Sequence, residues 1–250
     1  MSTTTPMPNI RKMFIPDPGY VMFDVDLAGA DAQVVAYEAE DEDLINAFRE
    51  GLDVHDKNAR DMFGDSYARL ARGDAARAKR RKEVKQAVHA TNYGGSARTL
   101  AKVLGWTVRE AESFQRRWFG LHPGIKANFH GRIESDLSRS RMVTNRFGYR
   151  RVYFDRIDSC FTEALAWVPQ STVAEVSFRG GIGLVARCPW VEMLLQVHDS
   201  LVFQVREADS NRLQEIKDGL SYPVPYDRPL TIQWGLSRSA RSWGECETVK

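Results

Sequence analysis

Apolar and polar residues alternate over Tyr20 to Asp26 (Tyr-Val-Met-Phe-Asp-Val-Asp), just after a Pro-Asp-Pro-Gly turn at Pro16 to Gly19, which predicts a first strand. Gly29 punctuates a change to helical spacing, and Ala30 to Tyr37 reads as a helix. Asp41 to Phe48 resumes that spacing with acidic residues in its first turn, where they favour the helix dipole, and Gly51 ends it. Asp53 to Phe63 reads as a further short helix, and Gly64 to Asp74 as an exposed connection. From Ala75 to Asn92 the pattern is helical without Gly or Pro, and Arg81, Lys85 and His89 fall four residues apart on one face. Ser96 to Leu104 and Thr107 to Phe119 give two more helices, the second opened by the capping-box pattern Thr107-Val108-Arg109-Glu110.

His122-Pro123-Gly124 breaks the chain before an amphipathic stretch from Ile125 to Arg139. Met142 to Phe154 predicts a hairpin turning near Arg146-Phe147-Gly148. A helix from Thr162 to about Val185 carries Gln170, Ser171 and Thr172 in its interior, with a kink or boundary at Pro169. A second hairpin, Met193 to Val205, has His198-Asp199-Ser200 at its tip; Glu207 to Leu220 is amphipathic and Leu230 to Leu236 reads as a closing strand.

At 250 residues and 43% hydrophobic, the chain can bury a sizeable core. Its net charge of +2 hides local asymmetry: Arg69 to Lys85 holds eight basic residues against two acidic ones, whereas Glu38 to Asp43 is almost wholly acidic. The basic run reads as a polyanion contact. Cys160, Cys188 and Cys246 form no C-x-x-C pair, so neither a disulfide framework nor a zinc site is favoured, and a reducing cytoplasm fits. Met1 to Pro8 has no apolar core of an export signal, and no segment reaches the ~18 apolar residues of a membrane span.

Two apolar strands each deliver an aspartate at a polar break, Asp26 and Asp199. Carboxylates brought together from distant strands can hold two Mg²⁺ ions about 3.5–4 Å apart for an in-line phosphoryl displacement. With the basic helix between them, the order acid, base, acid suggests a nucleotide polymerase. Taken singly, Asp26 reads more simply as a strand-end helix cap, Asp199 as a turn residue and the basic face as solvated surface. Asp24 shares strand parity with Asp26. His55 makes no metal site with its acidic neighbours, and neither His-Glu-x-x-His nor a G-x-x-x-x-G-K-S/T loop is present, which removes an ATPase explanation for the basic run.

Three ordered motifs, over nearly the whole chain, resemble the polymerase module of the family A, polymerase I-like DNA polymerases. Motif A resembles Asp26-Leu27-Ala28-Gly29-Ala30-Asp31 with the following Glu42 to His55; motif B resembles Arg81-x3-Lys85-x7-Tyr93-Gly94; motif C resembles Leu194-Leu195-Gln196-Val197-His198-Asp199. Ile10-Arg11-x-x-Phe14, Phe147-Gly148-x-Arg150-Arg151, Pro169-Gln170-x-Thr172 and Trp243 also fit.

The resemblance implies an α+β fold: an antiparallel palm sheet at residues 1–48 and 141–250, with a helical fingers subdomain at 49–140 and the thumb absent. It implies a DNA polymerase that adds dNTPs to the primer 3′-end of a primer-template, with Asp26 and Asp199 as ligands of two Mg²⁺ ions. Arg81 and Lys85 would contact the triphosphate, and Tyr93 would lie beside the templating base. His198 and Gln170 would touch the primer terminus and minor groove, with Arg150 and Arg151 as phosphate contacts. Departures from the pattern fall at Asp31, where the family has a glutamate that blocks a ribose 2′-hydroxyl, at His89, where it has phenylalanine or tyrosine, and at Ser200, which replaces a second motif C acid. The alternatives are an inactive-alone half of a split polymerase whose partner chain supplies thumb or exonuclease domains, a DNA-binding remnant, or a single-subunit RNA polymerase.

Overall fold

The computed structural model describes residues 9–249, so the leader Met1 to Pro8 lies outside the described residues. In chain order the strands are β1 (Tyr20–Leu27), β2 (Met142–Thr144), β3 (Arg150–Val152), β4 (Val191–Val197), β5 (Ser200–Arg206), β6 (Trp234–Ser239) and β7 (Glu247–Thr248). The α-helices are α1 (Ala30–Glu38), α2 (Glu42–Arg49), α3 (Val54–Phe63), α4 (Asp65–Ala68), α5 (Ala75–Asn92), α6 (Ala97–Leu104), α7 (Val108–Leu121), α8 (Gly131–Ser140), α9 (Ile157–Arg187) and α10 (Leu213–Leu220). They divide into two compact units, Met1–Ala30 with Thr172–Lys250, and Asp31–Ser171. The fold is α+β, as the motifs implied.

The first unit is built on a five-stranded antiparallel sheet in the order β4-β5-β1-β6-β7. Strand β1 is central because Val21, Phe23, Val25 and Leu27 bury one face, and Phe23 stacks on Phe203 of β5 with ring centroids 5.3 Å apart. Such a ring pair contributes about 0.5–1.5 kcal/mol beyond its buried area. The C-terminal part of α9 meets α10 backbone to backbone: a Cβ at Gly180 would lie 2.7 Å from the Leu220 carbonyl oxygen, and one at Gly183 would lie 2.7 Å from that of Gly219. Only glycine permits that approach.

The second unit holds most of the helices and the β2–β3 hairpin. Its core gathers Trp118, Ile125, Phe129, Ile133 and Leu137, and the Trp118 indole N–H donates to Asn92 Oδ1 at 2.8 Å, satisfying two buried polar groups at once. The capping box at Thr107 and Glu110 is formed.

Several boundaries differ from expectation, each for a physical reason. Helix α9 begins at Ile157 and runs through Pro169 without ending, because buried Ala164, Leu165 and Val168 before it and Val173 and Val176 after it outweigh one lost N–H. The closing strand starts at Trp234 rather than Leu230. Its inward alternation does begin at Leu230, but Trp234 pairs with Leu27, the last residue of β1, and Leu230 instead makes an isolated bridge to Val224. The tip of the β4–β5 hairpin is the two residues His198 and Asp199, since Ser200 already pairs with Val197. Ile125 to His130 is π-helical and leads into α8. The amphipathic stretch from Glu207 resolves into a short 3₁₀ turn and α10. Among the described residues no helix is long and apolar enough to cross a membrane.

The stretch from Gly64 to Asp74 is not simply an exposed connection. It contains α4, whose Tyr67 is buried and donates its hydroxyl to Asp56 at 2.6 Å. Arg77, one of the eight cations expected to face a polyanion, is turned inward: it donates to both Asp56 carboxylate oxygens and to the Leu70 carbonyl, with its guanidinium over the Tyr67 ring. Removing one member of a buried pair strands the other. Arg77→Ala is expected to cost about 3 kcal/mol in urea denaturation; an unchanged midpoint would show that the pair is not structural.

Candidate active site

In the first unit, β1 carries Met22, Asp24 and Asp26 on one face. That face starts apolar, with Met22 packed on Val202 and Trp243, and turns acidic toward the strand end. Asp24 is engaged by the protein: the Trp243 indole N–H donates to its Oδ2 at 2.8 Å, and Arg11 stands 3.8 Å away. Asp26 is left unmatched. It pairs in register with Ser200 on β5 and Gly235 on β6, and the Leu27 N–H donates to the Asp199 carbonyl at 3.4 Å. The register therefore brings Asp199, at the hairpin tip, to the end of β1. Burial first, then the charge of Asp24, then that of Asp199, raise the Asp26 pKa. Among the described residues neither Asp26 nor Asp199 has a cationic side chain in ion-pair range.

Two backbone features make room for this pair. A Cβ at Gly235 would lie 3.0 Å from Asp26 Oδ1, so the glycine opens the space that the carboxylate fills. His198 has φ of +56° in the hairpin tip, a left-handed conformation that costs an L-residue about 1–2 kcal/mol and that histidine tolerates better than most. A glycine would relieve that strain, so the imidazole is held beside Asp199 at some cost in stability. Gly235 was not legible as a site residue, because nothing in the sequence fixes the β1–β6 register.

In the second unit, α5 is capped by Asp74, buries Val84, Ala87, Val88 and Thr91, and turns Arg81, Lys85 and His89 outward. Gly94, at φ +74°, ends the helix just past Tyr93. Arg81 forks onto Asp53 through Nε and an Nη, each at 2.8 Å. Burial alone would raise the Asp53 pKa, but the Arg81 hydrogen bonds and the Asp56 N–H lower it overall. Lys85 is exposed, with no ion-pair partner among the described residues. His55, without metal partners in the sequence, lies beside Arg81 and Lys85 in the structure. Burial, and then the charges of Lys85 and Arg81, push its pKa down to about 4, so it is neutral at pH 7. Its Nδ1 is buried with no hydrogen bond. The signal that could have found it is its position two residues after Asp53 at the start of α3.

One turn further along α5, His89 Nε2 lies 3.6 Å from Asp31 Oδ2 and its ring meets Tyr93 edge to face at 4.6 Å. Burial and the neighbouring Asp31 raise the Tyr93 pKa, although its hydroxyl lacks a well-formed hydrogen bond. Gln170 is exposed on α9, and Arg150 and Arg151 are exposed on β3, where Arg151 pairs with Glu163. A cavity of about 880 Å³ lies along the opposite face of α5, lined by Arg80, Glu83, Trp106 and Arg117. Arg80 there is held by Glu83 and Arg117 by the Asp61 carbonyl.

Asp41, Asp43 and His122 also come close enough to share a cation. The two carboxylates are already engaged within the protein: Asp41 caps α2 through the Leu44 N–H and binds His122 Nδ1 at 2.8 Å, and Asp43 holds Lys57 at 2.5 Å, while His122 Nε2 is buried with no hydrogen bond among the described residues. The unmatched donor set is Asp26 with Asp199, and hard carboxylate oxygens without a competing cation fit a divalent ion.

The family model described as "DNA polymerase family A" matches residues 2–245. The chain is 31% identical over 239 residues to "DNA polymerase I, thermostable" of Thermus filiformis, covering 92% of this chain and 28% of that protein. It is 32% identical to DNA polymerase I of Geobacillus stearothermophilus, covering 90% of this chain and 26% of the relative. The chain thus spans about a quarter of the length of the curated relatives it matches. The POL domain of Pol1 from M. smegmatis, solved in complex with DNA primer-template and dNTP, superimposes with a TM-score of 0.80 at 23% identity, over 95% of this chain and 42% of that one. At that identity the likeness is one of fold.

A raised carboxyl pKa in the folded state means that stability falls as pH climbs from the unfolded value, near 4, through the folded one. Asp26→Asn is therefore expected to raise Tm at pH 7 and to leave it nearly unchanged at pH 3. Equal shifts at both pH values, or a loss at pH 7, would contradict the unmatched-charge reading.

Proposed function

The chain belongs to DNA polymerase family A, and from that premise we propose that it catalyses template-directed addition of dNTPs to a primer 3′-end, releasing pyrophosphate. The observation that carries this reading is the unmatched carboxylate pair, Asp26 and Asp199, in a chain that also presents the cations Arg81 and Lys85 beside a neutral His55. Asp26 and Asp199 would hold two Mg²⁺ ions, which supply charge neutralisation at the primer hydroxyl and at the departing pyrophosphate. Asp24, already engaged by Trp243, would keep β1 in register instead of binding metal.

Lys85 would act as a point charge on the triphosphate, stabilising the pyrophosphate as it leaves, and Arg81 would grip phosphate oxygens with its planar fork. His55, uncharged at pH 7, would donate a hydrogen bond to the same group without adding to the repulsion between Arg81 and Lys85. Tyr93 would sit beside the templating base, where Gly94 and Gly95 allow close approach. His198 and Gln170 would monitor the minor groove at the primer end, and Arg150 and Arg151 would contact phosphates of the primer-template. Palm is assigned to residues 1–48 and 141–250 and fingers to 49–140, bounds that follow the motifs rather than the packing units. Three free cysteines suit a reducing, cytoplasmic setting.

Sugar choice would rest on Asp31 and His89. Asp31 is one methylene shorter than glutamate and shares its carboxylate with His89, so a ribose 2′-hydroxyl would meet a lower barrier.

Primer extension with Mg²⁺ and the wild-type chain tests the reading. Asp26→Asn and Asp199→Asn are each expected to lose roughly 1,000-fold or more of the activity and Lys85→Ala roughly 100-fold, with the fold intact by circular dichroism. Extension that survives Asp26→Asn would defeat the assignment. In the same assay, Asp31→Glu is expected to widen the preference for dATP over ATP; an already strong wild-type preference that Asp31→Glu leaves unmoved would remove the sugar-gate role.

A further inference from the structure

Asp53 performs two tasks with one carboxylate. Its Oδ1 accepts the backbone N–H groups of His55 and Asp56, both at 3.1 Å, capping α3, and also accepts an Arg81 Nη at 2.8 Å; its Oδ2 accepts Arg81 Nε at 2.8 Å. A carboxylate that bridges two amide N–H groups and a guanidinium fork occupies them as a phosphate would. Neighbouring Lys85 has no such counter-ion among the described residues, and His55 is kept neutral beside it. The cluster is thus pre-charged for an anion but keeps its best phosphate-binding group, Arg81, on an internal one.

We infer that Asp53 is an internal stand-in for phosphate that a polyphosphate ligand must displace to reach Arg81. The ion pair is well placed for exchange, because the two side chains are 39% and 48% exposed, so water can hydrate the released carboxylate as the ligand arrives. The cap need not be lost in the exchange: the α3 N–H groups are held by Oδ1, and a side chain turned off Arg81 can keep them. Asp53 therefore acts as a specificity residue by raising the threshold for entry. A singly charged anion gains too little from Arg81 to evict it, whereas a triphosphate, already drawn by Lys85, gains enough. This rests on the polymerase reading only for the identity of the physiological ligand.

The test is equilibrium binding of inorganic tripolyphosphate and of dATP, by calorimetry, to wild type, Asp53→Asn, Asp53→Ser, Arg81→Ala and Asp53→Asn/Arg81→Ala. Asn and Ser are both competent helix caps, so α3 is preserved in either variant, and thermal melts check it. Binding is expected to tighten roughly two- to five-fold in Asp53→Asn and Asp53→Ser, the span of an exposed ion pair, and the gain should vanish when Arg81 is absent. Unchanged or weaker binding in both folded variants, or no tripolyphosphate binding by any of the proteins, would overturn the inference; weaker binding would mean that Asp53 orients Arg81 for its ligand. Primer extension, run separately, keeps the two readings apart. Tighter tripolyphosphate binding without extension upholds the displacement and defeats the polymerase, and extension without any gain does the reverse.

Discussion

The antiparallel register of β1 against β5 is the constraint on which the account depends, because it sets Asp26 opposite Ser200 and so brings the Asp199 hairpin tip to the end of β1. Burial, then the charge of Asp24 and then that of Asp199 make an ionised Asp26 unfavourable, with no cation in range among the described residues, and its raised pKa is the sign of that cost. A fold selected for stability alone would have given the pair partners, as it has given Asp24 a hydrogen bond from Trp243 and a nearby Arg11. Adjacent features lean the same way. Gly235 leaves space where any side chain would crowd Asp26, and His198 accepts a left-handed backbone that glycine would hold more cheaply. Each of these trades stability for a defined cluster of negative charge, the pattern expected where function outweighs packing.

The second unit shows the complementary arrangement. Its cations divide into those the fold consumes and those it leaves ready. Arg77 is spent on Asp56 and Tyr67, and Arg80 on Glu83 and Phe63, whereas Lys85 has no ion-pair partner among the described residues and Arg81 rests on an exposed carboxylate. Glu38 is wholly buried and is held by Arg132 and Arg146, which ties α1 to α8 and to the turn after β2. A run of basic residues is therefore not one surface, and the side chains at 81, 85 and 89 share one outward face of α5.

Much of this was legible in the sequence. The alternation in β1 and the long Gly- and Pro-free α5 are local signals, and the structure carries both within a residue or two. The β4–β5 hairpin was legible as well, although its tip is shorter by one residue. What was not legible depends on tertiary partners. The strand begins at Trp234 because β1 ends at Leu27, and α9 survives Pro169 because apolar residues on both sides are buried. Gly235 and His55 were missed for the same reason: each matters through a neighbour far away in sequence, Asp26 for one and Lys85 for the other. Strand parity alone does not tell Asp24 from Asp26; the start of motif A at Asp26 selects it in the sequence, and in the structure the Trp243 hydrogen bond engages Asp24.

The most direct measurement is anomalous diffraction from crystals of the chain grown with Mn²⁺ as a magnesium surrogate. Manganese is expected between the Asp26 and Asp199 carboxylates. Manganese held only by Asp41, Asp43 and His122, or Asp26 and Asp199 directed into separate regions with no ion between them, would contradict it.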